Sequence, residues 1–352
     1  MSKLLFIVSF FLLIFENCQE AKQLPQYNNQ QAKGKVTDIV AFYNVENLFD
    51  TDDDPKTADE DFLPNSPNKW TVERYQHKLA QLTKVLDSLG NNGRLPSLIG
   101  LCEIENKRVL EDLLTKANAN KTYSIVHYDS PDARGIDVAL LYNKQAFTPT
   151  QSEPLRVHFD LEPQTTTRDI LYVQGNFRGE PLHLFINHWP SRREGQEKSE
   201  PRRMAAAAVA RKKIDGIFAS DPKAKILLMG DFNDEPQNNS ITQGLRAVHP
   251  KSKDPINNGT LYDLMLPKQL AGEGSYNHQG NWNTLDQFIV SESLLNSSDG
   301  IRLNSDDAYI YKQDWILFTN DKGDKLPNKT YGGNKYFGGY SDHLPVYLLL
   351  RK

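Results

Sequence analysis

The chain has 352 residues, of which 38% are hydrophobic and 24% charged, and a net charge of −4, the make-up of an ordinary soluble globular protein. There is no global basic excess, so any contact with a polyanion must be local. Neither low-complexity tracts nor a repeat of fixed period occur, which excludes solenoids and propellers.

At the N-terminus, Lys3 precedes an apolar run over residues 4–15. The run is too short to span a bilayer and fits the core of an export signal, expected over residues 1–17. Cys18 stands where a bacterial lipoprotein signal would place its acylated cysteine, although Asn17 occupies a position where a small residue is expected. Residues 18–35 are polar, rich in Gln and Asn, and read as a flexible tether. Two placements follow: membrane attachment through a lipidated Cys18, or plain secretion. In a bacterium that means secreted, periplasmic or anchored at the outer membrane. Cys102 lies in an apolar run and has no evident partner, so a domain over 36–352 stands without disulfides; at this length a hydrophobic core suffices.

Residues 36–42 predict a strand, which runs into Tyr43-Asn44-Val45-Glu46-Asn47-Leu48. Asn44 and Glu46 share a face, because alternate residues of an extended chain point the same way. Residues 50–68 are rich in Asp with three prolines and predict a long surface loop; they lack the ligand spacing of a calcium loop. Residues 70–89 predict a helix whose apolar stripe is Val72, Tyr75, Leu79, Leu82, Leu86 and Leu89, stopped at Gly90. A buried strand over 98–101 leads into Glu103, and a helix over 107–117 follows.

Strands are predicted over 123–128 and 136–142, around a turn carrying Arg134. Residues 171–177 and 182–187 predict a hairpin through Arg178-Gly179-Glu180, its second strand ending at Asn187-His188. Residues 191–213 carry eight Lys or Arg against three Glu, and 202–218 predict a helix. Arg192, Arg193, Arg202 and Arg203 form either a track for a polyanion or a solvated face paired with Glu194, Glu197 and Glu200. The apolar run 226–229 predicts a buried strand ending at Gly230-Asp231-Phe232-Asn233, with Asp231 and Asn233 on one side. Sequence to about 283 reads as irregular. Strands over 285–290, with Asp286, and 344–350, introduced by Asp342-His343, complete the chain. Strands outnumber helices, and hairpins alternate with βα steps, which points to a mixed α/β sandwich in one domain.

Several strands thus end in residues suited to catalysis. Gathered at one edge, their carboxylates would repel one another, and a divalent cation is the usual remedy. Ligation by Asn and carboxylate oxygens favours magnesium, manganese or calcium over zinc.

The order Asn-x-Glu-Asn-Leu, Glu103 after an apolar strand, Asn-His188, Gly-Asp-Phe-Asn, Leu-Asp286-Gln-Phe and Ser-Asp-His-Leu-Pro-Val resembles the endonuclease/exonuclease/phosphatase superfamily, the fold of pancreatic deoxyribonuclease. The chain looks most like its exported bacterial members. The resemblance covers nearly all of 36–352 and implies a four-layered αββα sandwich with two mixed, mainly antiparallel central sheets. It also implies phosphate-ester cleavage by metal-activated water. By that resemblance Glu103 would be the chief metal ligand, with Asn44, Glu46 and Asp342, and magnesium the first expectation. His343 would either take a proton from water or stabilise charge at the phosphate, and Asp286 would orient it. Asp231 and Asn233 would position nucleophile and phosphate. His188 resembles the second histidine of deoxyribonuclease-type members and argues against the abasic-site branch. Arg134 is expected to contact substrate, since its guanidinium suits phosphate oxygens; Asp137 and Arg168 could also reach the site.

The expected activity is an exported metal-dependent nuclease on DNA or RNA, acting as a monomer without a protein partner. The alternatives are a phosphodiesterase or phosphatase of lipid or sugar phosphates, and a catalytically idle surface-binding module.

Overall fold

Runs of consecutive apolar residues give the central strands two buried faces, and two sheets stack through them. The computed structural model describes residues 36–90, 94–250, 259–295, 297 and 299–352. The expected export signal, the tether and Cys18 lie outside the described residues. The first sheet contains β1 (Val36–Leu48), β2 (Leu98–Ile104), β3 (Tyr123–His127) and β4 (Asp137–Asn143). The second contains β5 (Phe147–Leu155), β6 (Ile170–Phe177), β7 (Glu180–His188), β8 (Ile226–Asp231), β9 (Ala247–Val248), β10 (Leu261–Asp263) and, after a hairpin of β11 (Tyr276–His278) and β12 (Asn281–Asn283), β13 (Asp286–Ser291). The chain then returns to the first sheet with β14 (Ala308–Ile310). The hairpins β15 (Leu317–Thr319)–β16 (Lys325–Pro327) and β17 (Tyr331–Gly332)–β18 (Lys335–Tyr336) precede β19 (Val346–Arg351), also in the first sheet.

The strand orders are β14-β19-β1-β2-β4-β3 and β5-β6-β7-β8-β13-β10-β9. Each sheet has a central parallel pair, β1 with β2 and β7 with β8, flanked by antiparallel neighbours. A parallel pair needs a crossover. The helix α1 (Val72–Leu89) supplies it in the first sheet and α3 (Gln196–Ser220) in the second. Parallel strands end at the same edge, and the antiparallel β13 and β19 begin there. This topology brings the ends of β1, β2, β7 and β8 together with the starts of β13 and β19.

Between the sheets lies a core that includes Phe42, Leu140, Leu184, Met229, Phe288 and Leu348. On the outer face of the second sheet, Ala206, Ala207, Ala210 and Ile214 of α3 pack on Phe185, Ile226, Leu228 and Ile289. The small alanines allow close approach of helix to sheet. On the first sheet α1 and α2 (Lys107–Lys116) cover the other face. The layers are therefore αββα, as expected.

Local departures from expectation have physical causes. α1 starts at Val72 because the Thr71 side chain caps it, accepting from the Arg74 N–H; Val72 itself is 56% exposed, so the buried stripe begins at Tyr75. α3 begins at Gln196, upstream of the expected 202, and runs through an exposed Pro201. Strand β5 went unread because it is an edge strand interrupted by Pro149 and Pro154. The stretch expected to be irregular holds β9, β10 and the β11–β12 hairpin.

Gly230 lies opposite Asn187 where β7 meets β8. A Cβ on it would stand 2.5 Å from both Cβ and the carbonyl oxygen of Asn187. Gly230→Ala must therefore force the parallel strands apart. It is expected to cost about 1–3 kcal/mol, the usual range for overpacking a core, read as a lowered denaturant midpoint. An unchanged midpoint would refute it.

Candidate active site

At the shared edge the strands stop being regular. Between Asn44 and Leu48 of β1, and between Cys102 and Ile104 of β2, the pairing register shifts. Such a bulge breaks alternation and re-aims side chains. Glu46, Asn47, Glu103 and Asn233 have φ of 52°, 53°, 62° and 49°, a region that L-residues seldom occupy. Strain of this kind clusters where function demands a geometry.

Asp231 is the hub. Its Oδ2 accepts from Asn44 Nδ2 at 3.1 Å and lies 3.7 Å from His343 Nε2 and 3.8 Å from His188 Nε2. Its Oδ1 accepts the Asn233 N–H at 2.9 Å. Asn44 Nδ2 also donates to Glu103 Oε1 at 3.3 Å, and Glu103 Oε2 accepts the Asn47 N–H at 2.9 Å. The His343 ring donates through Nδ1 to Asp286 Oδ2 at 2.7 Å and packs against Tyr276 with centroids 4.8 Å apart. Ser341 ties the segment before β19 to β1, donating to the Asn44 carbonyl at 2.7 Å and accepting the His343 N–H at 3.1 Å.

Burial alone would depress the pKa of His343, but the Asp286 and Asp231 carboxylates reverse this and raise it well above the ordinary 6.5. His188 goes the other way: burial lowers its pKa, helped by Arg168, Arg134 and His343. One histidine is thus held as an imidazolium and the other neutral. Buried His188 Nδ1 has no hydrogen-bond partner, whereas Nε2 faces the Glu103 and Asp231 carboxylates, so the proton belongs on Nε2. Asp231 and Asp342 are raised, chiefly by burial; Asp286 adds to the first and Glu103 to the second.

The structure thus gathers Asn44, Glu103, His188, Asp231, Asn233, Asp286 and His343, with Asp342 beside them. It does not place every residue as expected. Glu46 turns away: its Oε2 accepts the Thr330 N–H at 2.6 Å and stands 3.9 Å from Lys78 Nζ, and its Oε1 accepts the Tyr331 N–H at 3.3 Å. Asn44 presents its amide N–H groups to two carboxylates, and its oxygen accepts the Glu46 N–H at 3.0 Å. It is a bridge between carboxylates. Of the expected ligands that leaves Glu103 and Asp342, whose charges act on one another, as carboxylates a cation could join; Asp231, Asp286 and His343 form a second such group, with ligand atoms within 4.8 Å of one another. Two carboxylates, with water and phosphate oxygens, are what a small hard divalent ion usually takes. Burial is the larger cause of the rise at Asp342; the part that Glu103 adds is what such an ion would relieve.

Arg134 is part-exposed at the rim, 3.5 Å from Asp132. Arg168 is a structural clamp, donating to the carbonyls of His188 at 3.3 Å and Trp189 at 2.6 Å and to Asp132 at 3.0 Å. Asp137 is taken up by His127 Nε2 at 3.1 Å and the Ser130 N–H at 2.8 Å. The basic run after His188 is mostly paired inside the protein. Arg192 binds Asp234 and Asn238, Arg202 binds Glu162 and Glu194, and fully buried Arg203 lies 2.8 Å from Asp234. Sequence reading missed Lys78, Tyr276 and Thr330. Lys78 had a signal, since three residues after Tyr75 and four before Leu82 is a position on the buried face of α1.

The Endonuclease/Exonuclease/phosphatase family model matches residues 39–352. Among solved structures the chain is similar to a mannosyl-6-phosphatase from Bacteroides thetaiotaomicron, with a TM-score of 0.53 and 15% identity over 89% of this chain and 99% of that one. It is also similar to the human Nocturnin catalytic domain with bound sulfate anion (0.52, 14%, 90% and 97%). Humanized D. rerio TDP2 gives 0.51 and 14%, over 89% and 98%. At these identities the likeness is one of fold. No curated protein matches the chain.

Proposed function

This chain belongs to the endonuclease/exonuclease/phosphatase family, and from that premise we propose that it is a divalent-cation-dependent phosphodiesterase acting on nucleic acid. The observation that carries the reaction is Asp231 Oδ2 held between the Nε2 atoms of His343 and His188, at 3.7 and 3.8 Å. In this reading Asp231 orients the attacking water and accepts its proton as the water oxygen bonds to phosphorus. Asn233 fixes the Asp231 carboxylate through its backbone N–H. His343, held by Asp286, donates from Nε2 to a phosphate oxygen and hands its proton to the leaving oxygen as the ester bond breaks. Neutral His188 offers a second Nε2–H to the developing charge. A divalent ion on Glu103 and Asp342 would draw charge from a phosphoryl oxygen. Magnesium is the first expectation for that ion.

Nucleic acid is favoured by the two hairpins that flank the site. Tyr276 of β11 abuts His343, and β12 carries Trp282 with Lys312 Nζ 3.8 Å from its ring centroid. Thr330 and Tyr331 bond Glu46, and β18 carries Tyr336 with the Arg74 guanidinium 4.2 Å from its ring. Aromatic faces with cations beside them are how single strands are held without base specificity. The internal pairing of Arg192, Arg202 and Arg203 favours a second reading, a small sugar or lipid phosphoester. An export role, secreted, periplasmic or lipid-anchored at Cys18, is proposed on residues 1–18 alone.

Digestion of supercoiled plasmid and single-stranded RNA, with magnesium, manganese, calcium or chelator, tests this. Cation-dependent cleavage is expected. Raising salt from about 50 to 200 mM is expected to slow it about tenfold or more, because displaced counterions drive the binding of a polyanion. Absence of cleavage with every cation sinks the nucleic-acid reading. Activity on a sugar phosphate that is indifferent to salt would establish the second.

A further inference from the structure

Lys78 reaches from α1 beneath the end of β1, and its side chain is 0% exposed. A fully buried lysine is rare unless paired. Its ammonium donates to Thr330 Oγ1 at 2.6 Å and to the Tyr340 carbonyl at 2.7 Å, and lies 3.9 Å from Glu46 Oε2. Glu46 is therefore engaged by the N–H groups of Thr330 and Tyr331 and faces one ammonium. The same ammonium lies within electrostatic reach of Asp342 and Glu103. Burial works against the Lys78 charge, and the Glu46, Asp342 and Glu103 carboxylates support it, so the cluster contains a positive charge built from the protein itself. Phosphoester hydrolases with two ions hold them about 3.5–4 Å apart between shared carboxylates. Here the carboxylate that would extend the site beyond Glu103 and Asp342 is covered, and half of the charge a second divalent ion would bring is already supplied by the ammonium.

We propose that Lys78 stands in for a second divalent ion and restricts the site to one, held by Glu103 and Asp342. The proposal rests on the reading of a cation site given above. In this role Lys78 is a positioning residue: it holds Glu46 and the 330–340 segment together and never touches substrate.

Calorimetric titration of the full chain with manganese tests it. Wild type is expected to bind one ion, and Glu46→Gln one ion with unchanged affinity, because Glu46 is not a ligand. Lys78→Met frees Glu46 and is expected to bind two ions, and the double variant Lys78→Met/Glu46→Gln one. A lysine that served packing alone would not move the stoichiometry. A wild type with two ions, or a folded Lys78→Met with one, overturns the proposal and leaves the cation site intact. If Lys78→Met fails to fold, Glu46→Gln decides: unchanged manganese affinity supports the proposal, and a loss of about tenfold or more, the loss that removing a ligand or an outer partner of the ion causes, overturns it. A wild type that binds no manganese overturns the cation reading itself, and this proposal with it.

Discussion

His343→Ala is expected to lower kcat/KM by about 10²–10⁴-fold, the range associated with removing a positioned proton donor. The ring is held at Nδ1 by Asp286 and faces Asp231 and the reaction volume with Nε2. Alanine removes the donor and also leaves Asp286, whose other oxygen already lacks a partner, buried without its cation. Part of the loss could then come from unfolding, so a thermal melt belongs beside the kinetics. Asp286→Asn gives the cleaner comparison, because it keeps the shape and removes the charge that fixes the imidazolium. The pH profile follows from the sign of the shift. The folded pKa of His343 is raised, so its charged form persists below that pKa and is lost as pH rises through it. Its contribution to stability likewise is complete below about 6.5, the pKa of an unperturbed histidine, and fades as pH rises through the higher folded value. Activity is therefore expected to fall on an alkaline limb with a midpoint above 6.5. That midpoint should move down in Asp286→Asn. A profile that rises through this range would mean that His343 works as a base, and the assignment of acid and base would have to be exchanged.

Glu103→Gln is expected to weaken divalent-ion affinity about 100-fold, the upper end of losses seen when even outer partners of a metal are removed. Activity should recover in part as the ion concentration is raised. Glutamine preserves an acceptor for the Asn47 N–H, so the strained turn at φ 62° keeps its anchor and the variant should stay folded. Chelator is expected to abolish wild-type cleavage. A Glu103→Gln protein whose cation dependence matches wild type would remove Glu103 from the ligand set.

What could be read from the sequence divides along the range of the interaction. Strands such as β2 and β8 were legible because both faces are buried and the apolar runs are unbroken, and β7 because only His183 breaks its run. The ends of those strands were legible too, since Asp231, His188 and Glu103 each interrupt such a run with a chemically unusual residue. Strand β5 was not, because an edge strand tolerates polar residues and proline. Side-chain destinations were the least legible. Glu46 shares a local pattern with Asn44, yet the bulge in β1 turns it toward Lys78 and Thr330, which lie 32 and 284 positions further along the chain. Arg203 reads in sequence as available to a polyanion, yet Asp234 lies against it.

The pairing of β1 with β19 has a consequence in time. Val40 lies opposite Leu348 and Phe42 opposite Val346, and Ser341 reaches the Asn44 carbonyl across 297 positions of sequence. Contacts of such separation are slow to form, since the long loop must close before they stabilise anything. During synthesis the first half of the chain can collapse around β1 to β4, yet His343 and Asp342 have not then been made. A nascent chain can therefore hold Glu103 and Asp231 before His343 exists, and under the proposed mechanism hydrolysis is withheld until the last strand is in place.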